Sequence, residues 1–126
     1  MLSKRMTRSV LSRGHLGTRI VWVRLEDPIC NIFAVVTYIP HKGRTVTPTA
    51  QYTPNDIQKL LNTVPKKDYI ILGGDLNCQL QHNVPDCTGK WIMTQKAENG
   101  HGERVLDLMR AHNLLAVGTA FKPKRK

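Results

Sequence analysis

The alternation of apolar and polar residues predicts a β-hairpin in the first third of the chain. Residues 19–25 alternate between two faces, which is the period of a β-strand. Residues 30–38 form a nearly continuous apolar, β-branched run, and this pattern predicts a strand covered on both faces. Residues 26–28 between them (Glu-Asp-Pro) are typical of a turn, and Pro40 ends the second strand.

Farther along the chain, the pattern alternates between helix and strand. A helix is predicted from Pro54, after the capping residue Thr53, because apolar residues then recur on one helical face. The other predicted elements are a buried strand over 69–72, a long irregular connection over 78–102, a helix over 103–112 stopped by a left-handed Asn113, and a short strand over 114–117. This order predicts a mixed α/β sandwich.

The net charge of +10 is concentrated at the two ends of the chain. Residues 1–24 carry six Lys and Arg, residues 122–126 carry four, and neither stretch contains an acid. Residues 1–18 and 122–126 are therefore predicted to be basic, poorly ordered ends. They are either solvated tails or segments that attract a phosphate backbone. Trp22 and Trp91 are candidates for stacking on bases, although Trp22 is expected to pack in the sheet.

Apolar runs and cysteines constrain the class of protein. No apolar run approaches the ~18–20 residues that span a bilayer, so no membrane partner is expected. Three cysteines without close pairing favour a reducing compartment, which predicts an intracellular protein, cytoplasmic or nuclear. The spacing of Cys78, His82 and Cys87 matches no structural zinc pattern.

The residues with the clearest chemistry are Asp75 and Asn77. They follow a buried strand and the pair Gly73-Gly74. A carboxylate there can orient or deprotonate a water, and a carboxamide can donate a hydrogen bond to a phosphoryl oxygen as its charge grows. The alternative is a strand-end turn in which both side chains only cap backbone groups.

Three segments together resemble the endonuclease/exonuclease/phosphatase superfamily. The string YIILGGDLNCQL at 69–80 resembles its signature, in which a hydrophobic strand runs into Gly-Asp-x-Asn. The string AVVTYIPHKGR at 34–44 resembles its motif ending in Tyr-x-Pro. Residues 98–121 are similar to the segment after Gly-Asp-x-Asn in apurinic-type endonucleases, especially those of non-LTR retrotransposons. The three segments occur in the family's order and cover nearly the whole chain.

The resemblance implies a fold and a set of site residues. The fold would be part of a four-layer α/β/β/α sandwich with a mixed sheet, forming one partial domain over 1–126 that is incomplete at both ends. Asp75 would activate the attacking water, and Asn77 would orient it or stabilise the transition state. Tyr38 would hydrogen-bond the scissile phosphate. His41 would contact phosphate, and Asn99 would correspond to a loop asparagine that orients the site.

The resemblance also implies a cofactor, partners and alternatives. Mg²⁺ would be the cofactor, with Mn²⁺ as a substitute, but the family's metal-binding glutamate is absent because residues 1–25 contain no acid. No metal ligand is therefore assigned, and weak or no activity is expected of this chain. The expected partners are nucleic acid (DNA first), missing flanking segments of the same domain and a reverse transcriptase on the same polyprotein. The predicted function is a Mg²⁺-dependent endonuclease. The alternatives are a catalytically dead nucleic-acid-binding remnant and a phosphatase or lipid phosphodiesterase of the same superfamily.

Overall fold

The protein divides into two compact units that meet in sequence between Leu76 and Asn77. The computed structural model describes residues 3–40, 54–80, 84–92 and 101–122. The helices and strands are α1 (Lys4–Thr7), β1 (Val10–Leu16), β2 (Ile20–Leu25), β3 (Ile32–Tyr38), α2 (Pro54–Leu61), β4 (Tyr69–Asp75), α3 (His101–Ala111) and a 3₁₀ helix (Val117–Thr119). Within these ranges, no helix is long and apolar enough to cross a membrane.

The first unit contains an open, four-stranded mixed sheet in the order β1-β2-β3-β4. β1 and β2 are antiparallel, as are β2 and β3, whereas β3 and β4 are parallel. The predicted hairpin and the mixed α/β class are confirmed. The chain between the two parallel strands carries α2, as expected because a parallel pair needs a crossover connection.

The first strand of the sheet lies within residues 1–18, where the sequence predicts a poorly ordered end, so that prediction is wrong for β1. β1 is rich in polar residues, and most of its side chains are exposed. It pairs with β2 from Val10 opposite Leu25 to Leu16 opposite Ile20. Backbone hydrogen bonds to β2 therefore order this segment without an apolar period. A polar strand at the edge of a sheet is also a common protection against pairing with other chains.

The two faces of β3 differ sharply in burial. Phe33, Val35 and Thr37 are buried, whereas Val36 and Tyr38 on the opposite face are 56% and 45% exposed. The prediction that this strand is covered on both faces is therefore wrong. Successive side chains of a pleated strand point to opposite faces, so burial alternates along β3 although nearly all of its residues are apolar.

The second unit is built around α3, which buries Val105, Leu106, Leu108 and Met109. After α3, Asn113 has φ 53°, so the predicted left-handed stop is confirmed. The predicted strand over 114–117 is wrong. Only Ala116 forms a bridge, with Thr88, and the chain then turns into the 3₁₀ helix. The Thr119 hydroxyl donates back to the Ala116 carbonyl over 2.6 Å, which stabilises that turn.

Candidate active site

Tyr38 and Asp75 are partner residues at the carboxyl ends of the parallel strands β3 and β4. The N–H of Ile39 donates to the carbonyl of Asp75 over 2.8 Å, so the pairing continues to the last residue of β4. Partner residues of neighbouring strands project from the same face and lie about 4.8 Å apart. Both side chains are exposed. The sheet therefore presents a phenol and a carboxylate side by side at one edge, and both belong to residues that the sequence predicts as site residues.

Gly74 allows the end of β4 to pair closely with β3. It has φ 118°, and a Cβ at this position would collide with the carbonyl oxygen of Thr37. A Cβ at the neighbouring Gly73 would lie 4.0 Å from the Val35 carbonyl oxygen, which is ordinary contact. Of the two glycines before Asp75, Gly74 is therefore the one that the backbone requires.

Arg19 lies beside Tyr38 and was not singled out from the sequence. Its carbonyl accepts a hydrogen bond of 3.0 Å from the N–H of Tyr38, and its guanidinium carbon lies 5.7 Å from the centre of the Tyr38 ring. The Nη1 atom is buried without a hydrogen-bond partner among the described residues. The available signal was a basic residue at the start of the alternating run. Without the sheet register, nothing in the sequence connected it to Tyr38.

The Arg19–Tyr38–Asp75 edge, as we call these three residues, has a chemistry suited to a phosphate ester. A guanidinium attracts phosphoryl oxygens, and a phenol can donate a hydrogen bond to one of them. A carboxylate can accept a proton from a water aligned for attack. The edge therefore supplies one cation, one neutral donor and one base.

Asn77 is the first residue of the second unit and has φ 44°. Asparagine is one of the few residues that adopt this left-handed conformation readily, because its side chain bonds locally. The backbone alone is therefore a sufficient reason for asparagine here, whether or not its side chain also takes part in the site. Its predicted catalytic role stays a prediction from the sequence.

Asp75 is chemically suited to bind magnesium, because this ion prefers oxygen ligands such as those of a carboxylate. Within the described ranges, no group of three or more His, Cys, Asp or Glu side chains is placed to hold a metal ion. The cofactor stays a prediction from the family resemblance. His41 and Asn99, the two predicted substrate-binding residues, lie outside the described residues.

Comparisons with known proteins give two distant relatives. The chain is 24% identical to Craniofacial development protein 2 of Bos taurus over 133 aligned positions, which include all of this chain and 21% of that protein. It is 23% identical to Craniofacial development protein 2 of Tragulus javanicus, again over the whole chain and 22% of the relative. The chain thus spans about a fifth of the length of these curated relatives, whose names state no chemical activity. No protein-family model matches the chain. No solved structure matches it significantly.

Proposed function

We propose that this chain is the central part of a metal-dependent phosphodiesterase that cleaves nucleic acid, with DNA as the first candidate substrate. The observation that supports this function best is the pairing of Tyr38 with Asp75 at adjacent parallel strand ends. Two residues from separate sequence motifs, predicted to act on one phosphate, are neighbours on one exposed face. A strand-end turn alone would require no such partner for Asp75.

Each side chain of the edge has a distinct role in the proposal. Asp75 orients and deprotonates the water that attacks phosphorus, and Asn77 assists by orienting that water. Tyr38 donates its hydroxyl hydrogen to a non-bridging phosphoryl oxygen. Arg19 lies over the Tyr38 ring and offsets negative charge at the same place. Bound Mg²⁺ would supply further charge neutralisation at the phosphate, and the Asp75 carboxylate would be one oxygen ligand for it.

The decisive experiment compares two aspartate variants in a nuclease assay. The chain is expressed with the sequence that flanks it in its reading frame, and nicking of supercoiled plasmid is followed with Mg²⁺ and with EDTA. Asp75→Asn should lower the nicking rate by about 10²–10⁴-fold, because it removes the base. Asp107→Asn is the matched control, since Asp107 is 73% exposed on α3 and pairs only with Arg110 among the described residues.

The assay also separates the three functions that the sequence leaves open. Release of phosphate from small phosphoesters or phospholipids, without nicking, would favour the phosphatase or lipid phosphodiesterase. Plasmid binding without hydrolysis would favour the dead binding remnant. Full nicking activity in Asp75→Asn would refute the site assignment.

A further inference from the structure

Trp91, in the second unit, has two lysines over its indole ring. The ammonium of Lys90 lies 5.3 Å from the ring centroid, and that of Lys122 lies 5.4 Å from it. Lys122 is 31 positions away from Trp91 in the sequence, so the fold brings them together. We call Lys90, Trp91 and Lys122 the Trp91 cluster.

Backbone contacts fix the segments that carry the Trp91 cluster. The N–H of Trp91 donates to the Thr119 carbonyl over 3.0 Å, and the N–H of Gly89 donates to the Thr119 hydroxyl over 2.6 Å. Gly89 permits this approach, because a Cβ there would lie 2.5 Å from the Thr119 carbonyl oxygen. The backbone of Trp91 is therefore held against Thr119, which lies three positions before Lys122.

Among the described residues, no carboxylate neutralises the two positive charges of the cluster. Neither lysine forms an ion pair with a carboxylate in the described part of the chain. Both ammoniums lie near one ring, so they are at most about 11 Å apart. That separation is comparable to the Debye length of about 8 Å at physiological ionic strength, so the two charges repel each other and attract an anion together.

A nucleic-acid strand offers what this cluster can bind. Phosphates recur along the strand at a spacing that two lysines can contact, and every base has a flat face that stacks on an indole ring. Phe121, next to Lys122, is 69% exposed, and three more basic residues follow in the sequence. A small carboxylate or inorganic phosphate would use the lysines but not the ring.

We propose that the Trp91 cluster is a binding site for single-stranded nucleic acid, with Lys90 and Lys122 on phosphates and a base stacked on Trp91. This inference rests on the proposed function for its substrate class and identifies a second contact, in the unit that does not contain Tyr38 and Asp75. The lysines move from the ring to the phosphates on binding, and a ring face that a lysine leaves receives the base.

The test measures binding without hydrolysis. A fluorescein-labelled oligothymidine is titrated with the 126-residue chain in EDTA, and anisotropy is recorded from about 50 to 200 mM salt. The variant Lys90→Gln/Lys122→Gln should bind more weakly and lower the slope of log K against log salt by about 1.4, which corresponds to two lost phosphate contacts on a single strand. Trp91→Ala should weaken binding by about 5- to 100-fold at every salt concentration, because a base stack is lost.

Two controls separate this site from general charge and from misfolding. Lys66→Gln/Lys67→Gln removes the same charge from two exposed lysines of the first unit and should bind with nearly the wild-type slope. Circular dichroism and thermal melting report whether each variant is folded. The cluster lysines are surface side chains, so their variant tests the site even if Trp91→Ala unfolds.

Three outcomes would overturn the inference. They are no binding of oligothymidine by the wild-type chain, equal salt slopes for the two double-lysine variants, and equal affinity for a duplex of the same length. None of them affects the plasmid-nicking test of Asp75. Loss of nicking in Asp75→Asn with no effect of the cluster on binding would leave the proposed function intact and reject this second site.

Discussion

The guanidinium of Arg24 holds the buried carboxylate of Asp68 through two hydrogen bonds. Nε donates to Oδ2 over 2.6 Å, and Nη2 donates to Oδ1 over 3.1 Å. Arg24 belongs to β2, and Asp68 directly precedes β4, so this ion pair spans β3 and constrains where β4 begins. A slip of one residue in β4 would move Asp75 to the other face of the sheet, away from Tyr38. The ion pair therefore helps to set the register on which the candidate site depends.

We predict that Asp68→Asn lowers the melting temperature much more than Asp107→Asn does. The Asp68 side chain is fully buried, and hydrogen bonding to it raises the pKa of Arg24 above its ordinary value. Removing the carboxylate breaks a bidentate pair and leaves donors in a poorly solvated place. The control removes an exposed pair within α3, where such pairs contribute about 0.3–0.5 kcal/mol. Equal melting temperatures for the two variants would contradict a structural role for the Arg24–Asp68 pair.

The two glycines before Asp75 should respond differently to alanine. Gly74→Ala should reduce the free energy of unfolding by about 1–3 kcal/mol or more, because of its positive φ and the collision with the Thr37 carbonyl. Gly73→Ala should leave the free energy of unfolding unchanged or raise it by up to about 1 kcal/mol, because its Cβ would make only an ordinary van der Waals contact. Urea denaturation measures both. A stable Gly74→Ala variant would mean that β4 does not end in this conformation.

Tyr38→Phe should lower phosphodiester hydrolysis by about 10²-fold, because it removes one hydrogen-bond donor to the reacting phosphate. The ring remains, so its contact with Arg19 and the fold should persist. Tyr69→Phe is the matched control. Tyr69 is 64% exposed on the same face, at the opposite end of β4. Steady-state rates on one oligonucleotide substrate compare the two variants. An equal loss of rate in both would show that Tyr38 has no specific role in the site.

The free energy of unfolding should fall in mild acid because His112 becomes protonated more readily in the unfolded chain. Burial lowers the pKa of this histidine below its ordinary value of 6.5. The folded state therefore favours the neutral ring, and the unfolded chain takes up the proton first as pH falls. The stability that depends on the neutral His112 ring is fully present above about pH 6.5 and is lost as pH falls from 6.5 toward the pKa of the folded state. An NMR titration of the His112 ring should give a midpoint below 6.5, and His112→Gln should reduce the loss of stability in acid.

The segments with a clear period could be predicted from the sequence. β2 and β3, the start of α2 and the Asn113 stop all have local causes: β-branched apolar runs, a proline at the first helical position and left-handed propensity. The predicted cap, Thr53, lies outside the described residues. The position of Asp75 at the end of a strand was also predictable, because a strand that runs into glycines and a carboxylate is a local pattern. The strand predicted over 114–117 failed because an apolar run does not specify a partner, and Ala116 forms a single bridge.

The sequence by itself determined which segments form the hairpin and that Asp75 ends a strand after two glycines. The tertiary structure alone decided that β1 joins the sheet, that Tyr38 is the partner of Asp75 and that Arg19 lies over the Tyr38 ring. The tertiary structure likewise placed Lys122 on Trp91. The physical reason is that strand register and ring contacts join residues far apart in the chain, and no local period encodes which partner a strand or side chain will meet.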